Sequence, residues 1–292
     1  MKRNCPKCDL KSEPGGAGPK VVGHGRFYRR SDSKWVRRFR CLKCGKYFSN
    51  SCFGLEYRHK KRWANEWVRR LLCSGVSQRR AARLLKIHRT TVVRKLLYLE
   101  QKALEAFARE FSGFASIEII EFDDMETFEH TKCKPLSVTI AVESVSRKIL
   151  GLEVSSMPCK GRLAWISRKK YGPRADGRAE ARKRLFERLK PLIRSNALIK
   201  SDENPHYKPD VKRHFPQCFH QTFKSRRACV VGQGELKKIG FDPLFSLNHT
   251  YAKIRADVNR LFRKTWCTTK RPDRLQAHLI VYAHYHNQTL SA

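Results

Sequence analysis

Acidic residues are scarce in this chain, 26 Asp plus Glu against 63 Lys plus Arg, so 292 residues carry a formal charge of +37. That balance excludes a protein built to meet polycations, and it calls for a polyanion, of which nucleic acid is the expected case. Long apolar runs are missing too. With no stretch of about 18 apolar residues, no signal-peptide core and no clean basic amphipathic helix, neither a membrane span nor an interfacial anchor is expected. A soluble, cytoplasmic protein is the reading. The eleven cysteines are odd in number, and four of them form Cys-x-x-Cys pairs, which points to reduced thiols on a metal rather than disulfides.

Residues 1–54 hold those pairs, Cys5-Pro-Lys-Cys8 and Cys41-Leu-Lys-Cys44-Gly. Two such knuckles complete a tetrahedral Zn²⁺ site, so a zinc ribbon is expected here, with Cys5, Cys8, Cys41 and Cys44 as ligands. The 32 residues from Asp9 to Arg40 exceed the usual ribbon spacing and imply an elaborated hairpin. Cys52 and His59 are spare donors that can equally be packing or surface residues.

Residues 60–111 change to a helical period. Trp63, Trp67, Leu71 and Leu72 recur at three- and four-residue steps, Gly75 stops that helix, and Ser77 can cap the next. In the following run Ala82 sits where two helices cross, Ile87 plugs the turn and Val92 faces inward, the spacing of a helix-turn-helix. Lys86 occupies the turn position where glycine is common. His88, Arg89, Thr90, Thr91, Arg94 and Lys95 are then expected to line the major groove or its phosphates. A plain helical hairpin with a solvated basic face is the other reading of the same pattern.

Residues 112–292 read as mixed α/β. Ile117 to Phe122 is apolar and β-branched, as a buried strand is, and ends on Asp123-Asp124. Two adjacent acids are ordinarily a solvated turn. In a chain so short of acids, however, carboxylates at the tip of an apolar strand suit a bound cation. Two further strands follow, Leu136 to Glu143 and Lys148 to Ser155. The stretch from Cys159 to Asp176 reads as a basic irregular loop, and Ala179 to Ile193 as a helix. A strand then ends on Asp202-Glu203, Cys218 to Phe223 suggests another strand, and helices are expected over Leu244–Trp266 and Arg274–His286. The whole is a multidomain α+β and α/β chain: zinc ribbon, helix-turn-helix, and a mixed-sheet domain with the element order of an RNase H-like core.

Three segments resemble a known family. Glu121-Phe-Asp-Asp-Met-Glu-Thr-Phe128 is similar to the Asp-Glu-Met-x-x-Phe segment of insertion sequence 1-like bacterial transposases. Lys200-Ser-Asp-Glu-Asn-Pro-His-Tyr207 resembles their Thr-Asp-Gly-x-x-x-Tyr, and Arg255-Ala-Asp-Val-Asn-Arg-Leu-Phe-Arg-Lys-Thr265 their Arg-x-x-x-x-Arg-Leu-x-Arg-Lys-Thr helix. With the ribbon and the helical pair, the likeness spans nearly the whole chain.

The resemblance implies catalytic roles for Asp123 and Asp202, 79 residues apart, and puts Asn248 where the family has a third acid. Such sites hold Mg²⁺ or Mn²⁺. Asn248 can ligate through its carbonyl oxygen but brings no charge, so a second ion is held more weakly. Asp257 is an alternative donor, about 13 Å further along an ideal helix, while Asp124, Glu126 and Glu203 are auxiliary donors or surface acids. Lys253, Arg255, Arg260, Arg263 and Lys264 are expected along the phosphate backbone. The implied function is a metal-dependent DNA transposase, a homo-oligomer on double-stranded DNA at the bacterial nucleoid, binding terminal inverted repeats and target DNA. Two rivals share the features: an inactive, transposase-derived DNA-binding regulator, and an RNase H-fold structure-specific nuclease.

Overall fold

Alternating residues build the first sheet. In the computed structural model, which describes residues 5–8, 20–57, 59–111, 116–224, 242–262 and 267–291, β1 (Val21–Arg29) and β2 (Lys34–Cys41) pair antiparallel, and the two-residue β3 (Tyr47–Phe48) continues the sheet. Phe39 and Phe48 are buried with Cys5 and Cys41, so the small core of this part sits against the thiols. The chain divides into two compact units, Met1–Trp67 and Val68–Ala292.

Helix α1 (Ala64–Leu72) buries Ala64, Val68 and Leu72 at four-residue steps, whereas Trp67, expected inward, is 54% exposed. Its stop is as expected. Gly75 takes φ +74°, and a Cβ there would lie 2.9 Å from the Phe262 Cζ. Ser77 caps α2 (Gln78–Leu84) by accepting from the Arg80 N–H at 3.3 Å. Between α2 and α3 (Arg89–Glu110), Lys86 sits at φ +50°, which is why glycine suits this turn, and Ala82, Ile87 and Val92 are buried. Helix α3 runs for 22 residues and lies along the last helix, where the Phe107 and His284 ring centroids are 6.0 Å apart.

The second sheet has five strands in the order β6-β5-β4-β7-β8, made of β4 (Ile117–Phe128), β5 (Pro135–Glu143), β6 (Ile149–Ser156), β7 (Ile193–Asp202) and β8 (Phe219–Phe223). The first three are antiparallel neighbours, as read from their short connections, and β7 and β8 run parallel to β4. One helix departs from expectation. Residues read as an irregular loop contain α4 (Leu163–Tyr171), bracketed by Gly161 at φ +62° and Gly172 at φ +74°; the glycines punctuate a helix rather than dissolve one.

Helix α5 (Arg178–Leu189) packs Leu185 and Phe186 with Phe122 and Tyr207, the latter opening α6 (Tyr207–His214). Helix α7 (Phe245–Asp257) lies on β4 and β5. Helix α8 (Pro272–Leu290) covers the free edge of β6. The Asn287 Oδ1 accepts from the Ile149 N–H at 2.8 Å while its Nδ2 donates to the Ile149 carbonyl at 2.9 Å, and Gln276 does the same for Val154 and Leu152. Two amide side chains thus replace a missing sixth strand.

Candidate functional site

The sulfur cluster comes first in the chain. Cys41 ends β2 and Gly45, at φ +70°, lets the chain turn sharply enough for its N–H to reach the Cys41 carbonyl at 2.9 Å. Cys5, Cys8, Cys41 and Cys44 bring their sulfurs within 4.8 Å of one another, and among the described residues they form the one group of three or more Cys, His, Asp or Glu donors so gathered. The Cys5 and Cys44 sulfurs are 3.6 Å apart and those of Cys8 and Cys41 3.9 Å. Four thiolates about 2.3 Å from one zinc ion stand roughly 3.8 Å apart, so the geometry fits zinc and is far too long for disulfides. Desolvation works to raise the Cys5 thiol, but the backbone N–H groups of Lys7 and Cys8 bring it down to about 7. Cys8 is pushed up to about 12 by desolvation and by the neighbouring thiols. A cation at the centre would relieve that opposition. Cys52 and His59 lie outside the group.

The second site is built by the sheet. Parallel pairing joins Ile119 to Leu198, Ile120 to Ile199 and Glu121 to Lys200. The ladder ends there, and Asp123 and Asp202 each follow two residues beyond that last pair on the adjacent strands. Burial, and then the Asp202 charge, raise the Asp123 carboxyl to about 7; burial also raises Asp202, with the Asp124 and Glu203 charges adding to it. Two half-buried acids that resist joint ionisation are a fit for a divalent cation. Asp123 is further fixed at both ends: its Oδ1 accepts from the Tyr207 Oη at 2.9 Å, and its backbone carbonyl accepts from the Tyr251 Oη at 2.5 Å.

Asn248 lies on α7, one turn before Tyr251. It is exposed, and its Nδ2 donates to the Asp242 Oδ2 at 2.9 Å rather than to either aspartate. Helix and strand are tied by Glu121, which is 2% exposed; its Oε2 accepts from the Leu247 N–H at 2.9 Å and its Oε1 from the Ser144 hydroxyl at 2.6 Å. Asp257, the alternative third acid, is engaged elsewhere, accepting from the Tyr282 Oη at 2.8 Å. Asp124 is not an open donor either. The buried Arg182 guanidinium reaches it at 3.4 Å and Asp210 at 2.7 Å, and the Thr139 hydroxyl donates to it as well. Glu126 is exposed and pairs with Lys160 at 3.3 Å, and Glu203 is exposed.

The cationic residues sort by face. His88, Arg89, Thr90 and Arg94 are exposed at the start of α3, Thr91 is half-buried, and the His88 Nδ1 accepts from the Thr90 N–H at 3.3 Å. Lys95 corrects the expectation: it is 3% exposed, because it falls three residues after the buried Val92 and beside Leu96 on the inward stripe of α3. On α7 Arg255 is exposed with its guanidinium 6.0 Å from the Tyr251 ring centroid, and Lys253 is half-buried. Arg260 is half-buried, and burial together with the Arg274 charge holds it below the usual arginine range, so it is not a plain solvated cation. Arg263 and Lys264 lie outside the described residues. Among the described residues, no helix is long and apolar enough to cross a membrane.

The residues that a reading of motifs passed over are Glu121, Arg182 and Tyr251. Glu121 is a polar residue inside an apolar strand, and that misplacement was the available signal; Arg182 lies among the charges of α5 and gave none. Tyr251 carried none, since its partner is a backbone carbonyl 128 residues away.

No family model matches the chain, and no curated protein matches it. Solved structures that resemble it include the Mos1 strand transfer complex, with 10% identity over 79% of this chain and 79% of that one at a TM-score of 0.25. The catalytic domain of Mos1 mariner transposase is also similar, with 10% identity over 65% of this chain and 94% of that one at a TM-score of 0.26. Both likenesses are too slight to carry weight beside the residues themselves.

Proposed function

We propose that the chain is a DNA transposase whose RNase H-like sheet cleaves and transfers DNA strands with divalent metal. One observation carries this: Asp123 and Asp202 each follow the last pair of the β4–β7 ladder by two residues, and the Asp202 charge adds to the burial that raises the Asp123 carboxyl. The strand order supports it, with three antiparallel strands followed by two parallel to the first. So does the charge of +37, which suits a polymer of phosphates.

Asp123 and Asp202 would hold Mg²⁺ or Mn²⁺, with Asn248 at the rim through its carbonyl oxygen. Bound there, such ions would supply the charge that activates an attacking water or 3′-hydroxyl and stabilises the leaving oxygen. Tyr207 keeps the Asp123 carboxylate in one rotamer by donating to it, and Tyr251 holds its backbone, so the pair is preorganised. The exposed start of α3, with His88, Arg89, Thr90 and Arg94, would dock as the second helix of a helix-turn-helix, and Arg255 would follow the backbone near the scissile bond. The four cysteines would hold structural Zn²⁺ in a ribbon that shares in recognising the element ends.

Purified protein with Mg²⁺ or Mn²⁺ is expected to nick DNA carrying the element's ends, and Asp123→Ala or Asp202→Ala to abolish nicking while binding persists. Cleavage retained in both variants would reject the assignment.

A second reading is a DNA-binding regulator without catalysis, and the exposed, Asp242-paired Asn248 favours it. Asn248→Glu separates the two, because a relic is silent as Asn and either stays silent or is rescued only as Glu.

A further inference from the structure

A cleft lies in the unit Met1–Trp67, beside the small core of the sulfur cluster, whose Phe48 and neighbouring Cys52 reach its lining. It measures about 490 Å³, and its lining includes Phe27, Arg29, Arg38, Tyr47, Tyr57 and Lys60. Strand alternation explains its floor. Phe27 pairs with Val36, and Tyr47 with Arg40, so Phe27, Arg29, Arg38, Arg40 and Tyr47 all project from one face of the first sheet. The segment after β3 forms the wall and contributes Tyr57 and Lys60.

The floor alternates rings and guanidinium groups. Arg38 lies over the Phe27 ring at 5.5 Å, and Arg40, outside the lining, lies over the Tyr47 ring at 5.6 Å. Acids near the cleft are already committed. Asp32 takes the Arg29 Nε and Nη2 at 2.6 Å each, and Asp32 and Glu56 flank Arg62 at 3.9 and 3.5 Å. The Arg29 Nη1 is left over: it is buried and has no hydrogen-bond partner in the structure. A buried guanidinium N–H without an acceptor is a costly arrangement that an incoming anion would resolve.

We propose that this cleft binds one unpaired nucleotide of a DNA strand, with the base stacked on the Phe27 and Tyr47 side and the phosphate met by the Arg29 Nη1 and Lys60. Duplex backbone alone would need only exposed cations. Rings set in a recess serve a base that has left its stack, and they accept any base, because each has a π-face. A recess of about 490 Å³ falls within the range of small-ligand sites, roughly 300–1,000 Å³. The inference rests on DNA as the polymer handled by this chain and not on the chemistry of Asp123 and Asp202.

The test uses the zinc-loaded full chain without Mg²⁺ or Mn²⁺. Fluorescence anisotropy compares a blunt duplex with the same duplex bearing a one-nucleotide overhang, and 2-aminopurine placed at the overhang reports stacking. Affinity about tenfold higher for the overhang, with quenching of the probe, is expected. Tyr47→Leu and, separately, Arg29→Gln should bring overhang affinity down to the blunt value while blunt binding and zinc content stay at wild-type levels. Tyr47 is exposed enough that its variant folds even if loss of the Asp32 partner upsets Arg29→Gln. Equal affinity for the two duplexes, or a preference that survives Tyr47→Leu, overturns the proposal. An overhang preference in a protein that never cleaves DNA supports it and counts only against the transposase reading.

Discussion

Glu121 and Leu247 are joined across 126 residues by a 2.9 Å hydrogen bond from the Leu247 N–H to the Glu121 carboxylate. The acceptor lies two residues before Asp123 and the donor one before Asn248. A buried anion thus sits at the first turn of α7, where unsatisfied N–H groups and the helix dipole favour it. The same carboxylate takes the Ser144 hydroxyl, so three segments meet on one side chain.

Glu121→Ala strands the buried Leu247 N–H and the half-buried Ser144 hydroxyl and is expected to cost about 2–4 kcal/mol, below twice the full penalty of about 1–3 kcal/mol each because the hydroxyl keeps some access to water. Glu121→Gln keeps one good acceptor and should cost less. Denaturant unfolding of the three proteins measures the order, and an unchanged midpoint for Glu121→Ala would contradict it.

Asp123 gives the pair a pH signature. Its folded carboxyl is raised to about 7 by burial and by the Asp202 charge, above its ordinary 3.8, so ionising it disfavours the fold. The cost appears as pH rises past about 4 and is complete above 7. Metal-free protein should therefore melt higher at pH 5 than at pH 7.5 from this group, and Asp123→Asn should flatten that trend. Added Mn²⁺ should raise the melting temperature more at pH 7.5 than at pH 5.

His278 pulls the other way. It is buried in α8, its Nε2 donates to the Leu72 carbonyl at 2.9 Å, and burial, with the Arg260 charge, lowers it to about 4. A depressed folded value means stability present above the ordinary 6.5 and lost as pH falls toward 4. His278→Gln should remove acid-induced loss in that window, read from melting curves between pH 4 and 7.

Zinc should be found at one ion per chain, and Cys5→Ser with Cys44→Ser should lose it, because the 3.6 Å sulfur pair supplies half the tetrahedron. Metal analysis after gel filtration decides. Full zinc retention in the double variant would reject the site.

Much of this was legible in the residues. Two Cys-x-x-Cys knuckles announce a tetrahedron whatever lies between them, and the apolar β-branched run marks a strand, but Asp123 and Asp124 do not end it: β4 runs on through them, paired with Ile140 and Thr139, to Phe128. Ser77 and Gly75 punctuate the helices as their chemistry requires. What stayed hidden depends on partners far away in the chain. Lys95 reads as a phosphate contact until the stripe through Val92 turns it inward, and Asp124 reads as a ligand until Arg182, 58 residues later, takes it. The loop read between Gly161 and Gly172 is a helix because glycine marks ends as readily as it breaks middles. Glu121 gave a local hint, a carboxylate in an apolar strand, but its acceptor role needed α7 in place.

The most direct measurement is Mn²⁺ binding followed by electron paramagnetic resonance in wild type, Asp123→Asn and Asp202→Asn, each with its zinc intact. If Asp123 on β4 and Asp202 on β7 form one cation site, wild type binds Mn²⁺ and each single substitution weakens it at least tenfold. Undiminished Mn²⁺ binding in both variants would mean that the two carboxylates do not share a cation, and the catalytic account would fall.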